Sequence, residues 1–249
     1  MMIPKFKREE LLKHIDEFYE LYMNRPIKEN GGGMKSAHMF PSWFIIKTMM
    51  PEFIIESGVW KGLGTWIFEK ASPNSKIISI DPNPQYKEYV SENVVYQTTD
   101  FLKTNWDFLN KNNVLLFLDD HQNSIERIRY ANSIGIKKII VEDNYPYCQG
   151  DCYSPKKVMS KRKYVIDSKG IRNWFENNED DYEFLTGNIN YYQEFPPLFK
   201  DQITRWGDEW DCEKYPTEKQ LLGEELKDKY QIFFNERKDY TWICYLELN

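Results

Sequence analysis

The sequence lacks any apolar run close to the roughly 20 residues that a helix needs to cross a bilayer, which predicts that no segment is embedded in a membrane. The first ten residues carry Lys and Arg without an apolar run behind them, so they do not have the pattern of a secretory signal. Basic residues are not in excess either. Against 39 Asp and Glu there are 33 Lys and Arg, a net charge of −6, which argues against a protein that coats nucleic acid.

Cysteine is also scarce in this 249-residue chain, which has too few cysteines for a disulfide scaffold. Cys148 and Cys152 are close enough in sequence to suit a metal, but no second pair or histidine completes a zinc set. We therefore interpret the cysteines as reduced thiols and predict a cytoplasmic protein. The four are Cys148, Cys152, Cys212 and Cys244.

The N-terminal part of the chain is predicted to be a helical cap covering residues 1–50. Apolar residues recur at helical spacing between Leu11 and Tyr22, with charged residues between them. A second helix is predicted roughly from Pro41 to Met50, because Pro51 follows and ends it. Residues 51–249 are predicted to form the main domain.

Short, nearly continuous apolar runs begin at Phe53, and helix-forming segments lie between several of them. Runs of this kind are typical of strands buried on both faces of a parallel sheet. Strand and helix in alternation predict an α/β fold with a doubly wound, mostly parallel sheet. The predicted strands are Phe53–Ile55, Lys76–Ile80, Val94–Tyr96, Val114–Leu118 and Ile139–Val141.

The C-terminal part of the main domain has a different pattern. The runs Tyr230–Phe234 and Thr241–Leu246, joined by a short polar turn, are predicted to form an antiparallel hairpin at the end of the sheet. Residues 145–229 are polar, rich in aromatic residues and weakly periodic, and we interpret them as an insertion or lid before that hairpin. Its aromatic residues could stack on a sugar or aryl ligand or simply pack the lid: Trp174, Tyr191, Tyr192, Trp206 and Trp210.

A glycine-rich turn follows the first predicted strand. Glu56 stands at the strand end, and Gly58, Gly62 and Gly64 lead into a helix. Glycines let the backbone turn tightly and approach a ligand, but this spacing is not that of a dinucleotide site. A carboxylate here would repel phosphates and would suit a cationic ligand such as S-adenosylmethionine.

Further acidic residues follow the next strands. Asp81 ends the second strand, where a carboxylate can accept hydrogen bonds from both hydroxyls of a ribose. Asp100 follows the third strand and would either accept the adenine amino group or cap a helix. We assign Glu56, Gly58, Gly62, Asp81, Asp100 and Asp119 to the cofactor.

The fourth strand ends in Asp119-Asp120-His121 and the fifth in Glu142-Asp143. Carboxylates this close repel one another, and a divalent cation would relieve the repulsion. Oxygen ligands favour Mg²⁺, with Mn²⁺ or Ca²⁺ as alternatives, rather than zinc. We predict that Asp120, Glu142 and Asp143 hold the metal and that His121 acts as general base, with Asp120 also catalytic. The alternative is that the acids cap helices and that His121 is structural. His14 is interpreted as a surface residue, and a role for His38 stays open.

Through these residues the chain resembles class I S-adenosylmethionine-dependent methyltransferases, in particular the branch with macrocin-type sugar O-methyltransferases and cephalosporin-hydroxylase-like proteins. The resemblance covers about Phe53 to Asn144 and the terminal hairpin. It implies a Rossmann-like fold and a metal-dependent O-methyltransferase that forms dimers or larger assemblies. The family usually separates the metal-binding Asp from the His, whereas Asp120 and His121 are adjacent, so either Asp119 or Asp120 could be the ligand.

The predicted function is transfer of a methyl group from S-adenosylmethionine to a hydroxyl of a sugar or glycosylated small molecule. The expected partners are a small-molecule or glycan acceptor and a second copy of the chain, without nucleic acid or membrane. Two alternatives remain: an oxidoreductase with a nucleotide cofactor on a similar sheet, and a non-catalytic sugar-binding protein.

Overall fold

The computed structural model describes residues 5–147, 149–160, 179–210 and 215–249. Its core is a seven-stranded sheet. The strands are β1 (Phe53–Ser57), β2 (Lys76–Ile80), β3 (Val94–Gln97), β4 (Val114–Leu118), β5 (Lys138–Val141), β6 (Ile189–Glu194) and β7 (Cys244–Leu248). Their order in the sheet is β3-β2-β1-β4-β5-β7-β6, in which β1 to β5 are parallel and β7 is antiparallel to both of its neighbours.

Both faces of the sheet are covered, as expected for a doubly wound fold. Along β4, Leu115 and Phe117 point into one apolar core, while Leu116 and Leu118 point into the other. The first core also takes up the N-terminal helices, which therefore cover one face of the sheet. The helices are α1 (Arg8–Lys13), α2 (Ile15–Met23), α3 (Ser36–Met49), α4 (Leu63–Ala71), α5 (Ser124–Ser133), α6 (Pro155–Met159), α7 (Glu179–Asn188) and α8 (Gln231–Asn235).

The predicted fold class, a Rossmann-like, mostly parallel sheet with an antiparallel pair at one side, is confirmed. The residues of that pair differ from the prediction. The prediction of Tyr230–Phe234 as its first strand is wrong, because these residues fall at the start of helix α8. The partner of β7 is β6, which lies within residues 145–229. The first predicted helix is divided in two at His14, and the second begins at Ser36, with Pro41 inside it.

The register of the parallel strands brings their carboxyl ends to one edge of the sheet. Ser57 is aligned with Ile80 of β2 and with Leu118 of β4, and Leu118 is aligned with Val141 of β5. The residues that follow these four therefore begin at the same level, which is where ligands bind in open α/β sheets. Among the described residues, no helix is both long enough and apolar enough to span a membrane.

Candidate functional site

A cavity of about 390 Å³ opens at the carboxyl ends of β1, β2 and β4. This volume lies within the range of small-molecule sites. The glycine-rich turn after β1 forms one wall, and the residues after β4 form another. The lining residues include Gly32, Gly58, Trp60, Asp81, Asp119 and His121.

The turn after β1 requires glycine at two positions. Gly58 and Gly62 have φ angles of 96° and 92°, which other residues rarely adopt. A Cβ on Gly58 would lie 2.0 Å from the carbonyl oxygen of Asp119, so the ends of β1 and β4 meet without room for a side chain. Gly62 immediately precedes α4, and a Cβ there would lie 2.5 Å from the carbonyl oxygen of Tyr89.

Asp81 holds the shape of this turn. Its Oδ2 accepts hydrogen bonds from the backbone N–H groups of Val59 (3.1 Å) and Trp60 (2.9 Å), and its Oδ1 accepts one from Asn83 (2.7 Å). A carboxylate oxygen has two acceptor positions, so Oδ2 is fully used and Oδ1 keeps one position open. Asp81 can therefore accept one hydroxyl of a bound ribose through Oδ1, in place of the two bonds that the sequence predicts.

Trp60 connects the N-terminal segment to the cavity. Its backbone is in the left-handed region at φ 50°, and its indole N–H donates to the carbonyl of Gly31 at 3.0 Å. The ring also lies 5.0 Å from that of Tyr86, between centroids. The glycine run at residues 31–33 is thereby held at the rim of the cavity.

Glu56 lies below the glycine turn and is buried. Its Oε2 accepts hydrogen bonds of 2.5 Å from the hydroxyls of Thr65 and Ser79. Its Oε1 has no hydrogen-bond partner among the described residues, and the same holds for Oδ1 of buried Asn30. Both residues line a small cavity of about 10 Å³ that shares Gly58 and other lining residues with the larger cavity. Two residues that each keep an unused acceptor therefore line a space about the size of one small donor group.

Burial raises the pKa of Glu56 to about 7, although the hydroxyls of Ser79 and Thr65 oppose the shift. The ordinary value is 4.5, so as the pH rises the unfolded chain releases this proton before the folded protein does. The contribution of Glu56 to stability is therefore greatest below about pH 4.5 and is lost as the pH approaches about 7.

We expect Glu56→Gln, which cannot ionise, to be more stable than the wild type above pH 7 by up to about 3 kcal/mol. Below pH 4.5 the two proteins should unfold at similar urea concentrations. Urea unfolding between pH 4 and 8 measures this difference, with the exposed Glu52→Gln as the control that should follow the wild type. If Glu56→Gln lost stability with rising pH as steeply as the wild type does, the raised pKa of Glu56 would be wrong.

Three carboxylates converge beside the cavity. Oxygen atoms of Asp119, Glu142 and Asp143 lie within 4.8 Å of one another. Burial and, second, repulsion from Glu142 raise the pKa of Asp119 well above its ordinary value and that of Asp143 to about 7. Oδ1 of Asp143 is buried and has no hydrogen-bond partner in the described part of the chain. The cluster has the oxygen donors and the excess of negative charge that suit Mg²⁺, Mn²⁺ or Ca²⁺.

Glu142 is held in place by residues from distant parts of the chain. His38 Nδ1, on α3, lies 2.5 Å from Glu142 Oε1, although the two atoms are not aligned for a hydrogen bond. Burial, together with the charge of Arg205, lowers the pKa of His38 to about 3, so the imidazole is neutral. Thr241 Oγ1 lies 3.1 Å from His38 Nε2 and donates to the Glu142 carbonyl at 2.8 Å.

Asp120 is turned away from this cluster, which differs from its predicted role as a metal ligand. Its Oδ2 accepts the Ser57 hydroxyl at 2.5 Å and lies 2.5 Å from Nε of buried Arg127. Arg127 also donates to Asp100 Oδ2 at 2.8 Å, and Asp100 Oδ1 accepts the N–H of Leu102. Asp100 thus caps a short helix, and Asp100 and Asp120 together pair with one arginine. Asp119, rather than Asp120, lies beside Glu142 and Asp143.

This arrangement predicts different effects for two neighbouring substitutions. Asp119→Asn should weaken Mg²⁺ binding by at least about tenfold, because it removes one of three converging carboxylates. Asp120→Asn should change Mg²⁺ affinity little and should lower the free energy of unfolding by about 2 kcal/mol, because Arg127 loses a charged partner. Calorimetric Mg²⁺ titration and urea unfolding of both variants separate the two effects. If Asp120→Asn weakened Mg²⁺ binding and Asp119→Asn did not, Asp120 would be the metal ligand, as the sequence predicts.

His121 lies on the other side of Asp143, with a left-handed backbone at φ 53°. Its Nδ1 is 3.2 Å from Asp143 Oδ2 and 3.4 Å from Asp151 Oδ1. The hydrogen bond with Asp151 and the charge of Asp143 raise the pKa of His121 to about 10. Burial would raise the pKa of Asp151, but His121 outweighs it and brings the value to about 2. Cys152 is buried beside them, and the sequence alone assigns neither Asp151 nor Cys152 to the site.

Within the insertion, the positively charged side chain of Arg205 lies near the carboxylates. The sequence alone does not assign this residue to the site. Arg205 donates to the Tyr145 hydroxyl at 3.4 Å, and its charge acts on Asp143 and Glu142. Among the aromatic residues of the insertion, Trp206 packs edge-on against Tyr145, with ring centroids 6.0 Å apart. The others pack within the fold or lie outside the described residues. Tyr191 and Tyr192 are on β6, Trp210 packs against Trp242, and Trp174 lies outside the described residues.

No protein-family model matches the chain, and no curated protein matches it. Several solved structures are similar to the chain. CmcI is 17% identical over 48% of this chain and 57% of its own, with a TM-score of 0.38, so the match spans less than two thirds of CmcI. An O-methyltransferase from Bacillus cereus in complex with SAH is 11% identical over 100% of this chain and 94% of its own, with a TM-score of 0.49.

A further similar structure is the SAH-bound methyltransferase PaMTH1 of Podospora anserina, 10% identical over 99% of this chain and 89% of its own, with a TM-score of 0.43. By their names, the Bacillus and Podospora proteins are methyltransferases, the class that the sequence resembles. All three identities are 17% or lower and all three TM-scores are 0.49 or lower, so these likenesses carry no conclusion about this chain. The chemistry of this chain depends on its own residues.

Proposed function

We propose that the chain is an S-adenosylmethionine-dependent O-methyltransferase that uses a divalent cation bound by Asp119, Glu142 and Asp143. The observation that carries this proposal is the position of Asp119, which lines the 390 Å³ cavity and also belongs to the carboxylate cluster. A methyl donor in that cavity and an acceptor hydroxyl at the cluster would be neighbours, as in-line transfer between them requires.

The 390 Å³ cavity and the small cavity that adjoins it offer acceptors for the polar groups of the donor. Asp81 Oδ1 keeps one acceptor position for a ribose hydroxyl. Glu56 Oε1 and Asn30 Oδ1 are unused by the described residues and suit the ammonium group of a sulfonium amino acid. Asp81 and Asp119 line the cavity, and Glu56 lies in the small cavity that adjoins it, so the site favours a cationic donor over the phosphates of a dinucleotide.

The carboxylate cluster fits a cation on the chemistry of its donor set. Three carboxylates lie close together, and one buried oxygen, Asp143 Oδ1, has no partner among the described residues. A bound Mg²⁺ or similar ion would supply Lewis acidity, which lowers the pKa of a hydroxyl that it contacts. Asp119, Glu142 and Asp143 would hold it, with His38 packed against the Glu142 side chain.

The role of His121 depends on the charge around it. With a pKa of about 10 the imidazole carries a proton at neutral pH and cannot accept one from a substrate. Neutralisation of Asp143 by a cation would weaken one of the interactions that hold this proton. His121 is an imidazole that borders the cavity, so we propose it as the proton acceptor of the cation-loaded protein.

We extend the proposal to a sugar or glycosylated small molecule as acceptor. Trp206 packs against Tyr145. The hydroxyl of Tyr145 accepts a hydrogen bond from Arg205, which lies near the carboxylates. An indole ring in this position suits the apolar face of a sugar.

Cofactor binding tests the proposed function directly. We expect calorimetric titration with S-adenosylmethionine to give a saturable isotherm, and titrations with NAD and NADP to give none. Asp81→Asn should weaken the first isotherm, because it loosens the glycine turn that Asp81 holds. The exposed Asp107→Asn is the matched control and should bind as the wild type does. Binding of a dinucleotide without S-adenosylmethionine would overturn the proposal in favour of an oxidoreductase.

A further inference from the structure

A second group of possible metal ligands lies beside the carboxylate cluster and has a different chemistry. It consists of one imidazole, one thiol and two carboxylates, whose ligand atoms lie within 4.8 Å of one another. The four residues are His121, Asp143, Asp151 and Cys152. The proposed methyl transfer uses neither Asp151 nor Cys152.

Five of the six ligand-to-ligand distances within this group are close to the edges of a small tetrahedron, and the sixth, between Asp143 and Asp151, is within 4.8 Å. Cys152 Sγ lies 3.5 Å from Asp143 Oδ2, 3.4 Å from Asp151 Oδ1 and 3.8 Å from His121 Nδ1. His121 Nδ1 lies 3.2 Å from the Asp143 oxygen and 3.4 Å from the Asp151 oxygen. Metal–ligand bonds of about 2.0 to 2.3 Å in tetrahedral geometry place ligand atoms about 3.3 to 3.6 Å apart, so a zinc ion fits with small adjustments.

The backbone holds the two halves of the group together. Asn123, two residues after His121, forms an isolated parallel bridge with Tyr153, and the N–H of Ser124 donates to the Tyr153 carbonyl at 3.1 Å. The buried ammonium of Lys157 donates to the carbonyls of Gly150 and Cys152. The loop that carries Asp151 and Cys152 is thus fixed next to His121 before any ion binds.

The donor set separates this group from the all-oxygen cluster. A thiolate and an imidazole favour Zn²⁺ and similar ions, whereas Mg²⁺ prefers oxygen ligands. Asp143 belongs to both groups. Its Oδ2 faces His121 and Cys152, while its Oδ1 has no partner among the described residues.

We propose that His121, Asp143, Asp151 and Cys152 form a binding site for Zn²⁺, adjacent to the carboxylate cluster. Binding replaces the proton of the Cys152 thiol and the proton on Nδ1 of His121, both of which pass to solvent. The ion then takes one sulfur, one nitrogen and two oxygen ligands. The site stands on its own geometry and does not depend on the proposed methyl transfer. If that function also holds, Zn²⁺ inhibits it, because it occupies Nδ1 of His121 and one oxygen of Asp143.

Cobalt substitution tests the site without an activity assay. The reduced, metal-free full chain is titrated with Co²⁺ in the presence of excess Mg²⁺, which fills the all-oxygen cluster. We expect one equivalent of Co²⁺ to give a thiolate-to-cobalt charge-transfer band in the near ultraviolet and the strong visible bands of tetrahedral cobalt. Zn²⁺ should then displace the cobalt stoichiometrically and remove both bands.

Cysteine variants identify the sulfur. Cys152→Ser should remove the charge-transfer band, whereas Cys244→Ser, which alters a second buried cysteine on β7, should keep it. A variant that lacks both Cys148 and Cys212 should also keep it. Asp151→Asn, at a less buried position, should retain the thiolate band while Zn²⁺ affinity falls by tenfold or more. Cobalt binding without a thiolate band, or a band that survives in Cys152→Ser, would overturn the proposal.

Discussion

Replacing Asp143 with Ala is expected to lower methyl transfer by about 10³-fold or more while leaving S-adenosylmethionine binding measurable. Asp143 contributes to the all-oxygen cluster and contacts His121 at 3.2 Å, so its loss removes a cation ligand and a neighbour of the proposed proton acceptor together. It does not line the 390 Å³ cavity, so the donor should still bind. Transfer of labelled methyl groups to a hydroxyl acceptor, with calorimetry for the donor, measures both effects.

The exposed Asp107→Ala serves as a control for Asp143→Ala and should leave transfer and binding unchanged. Removing divalent cations from the wild type with a chelator should produce a loss similar to that of the variant, and adding Mg²⁺ should restore only the wild type. Activity that persists both in Asp143→Ala and in the chelated wild type would show that the cation mechanism is wrong.

Gly58→Ala is expected to lower the free energy of unfolding by about 4 kcal/mol and to abolish donor binding. The new Cβ would lie 2.0 Å from the Asp119 carbonyl oxygen, which belongs to the backbone and cannot rotate away. The φ angle of 96° adds strain of its own. The ends of β1 and β4 would have to separate, and the cavity lies between them. Urea unfolding and donor calorimetry measure the two consequences.

Two other glycines separate the sources of this effect. Gly207 has a φ of 85°, and the space that a Cβ would occupy there has no neighbouring atom within 4 Å, so Gly207→Ala should cost only the strain of the backbone, about 1 to 2 kcal/mol. Gly187 lies in α7 with open space around it and no positive φ, so Gly187→Ala should stabilise the protein slightly. If Gly58→Ala lowered the free energy of unfolding no more than Gly207→Ala does, the close approach of β1 and β4 would be contradicted.

The central strands were predictable from the sequence because they are buried on both faces. β1, β2, β4 and β5 are nearly continuous apolar runs, which predict a parallel sheet buried on both faces but do not fix the order of its strands. The antiparallel pair was harder to locate. Tyr230–Phe234 is a short apolar run, and such a run fits a helix turn as well as a strand. β6 lies at the edge of the sheet and is half-buried, so its sequence carries the polar residues of a surface segment.

The gathering of Asp81, Asp119, Glu142 and Asp143 was predictable for the same reason, since parallel strands end at one edge. The choice between Asp119 and Asp120 was not, because neighbouring residues of an extended chain point to opposite sides and the sequence does not fix which side faces the cluster. His38 and Cys152 come from other parts of the chain. The bridge between Asn123 and Tyr153 that brings in Cys152 is an irregular contact without a local sequence signal.

The position of β7 means that the sheet cannot be completed during synthesis until the last of the described strands has been made. β7 follows the other described strands in the sequence, yet it lies between β5 and β6, and β6 pairs with no other strand in the described part of the chain. During synthesis, β6 therefore leaves the ribosome before β7, the strand with which it pairs, has been made. Thr241, just before β7, also supports Glu142, so the same closing step assembles both the outer sheet and the acidic pocket. A nascent chain halted before Cys244 would carry an open β5 edge, a surface prone to intermolecular pairing.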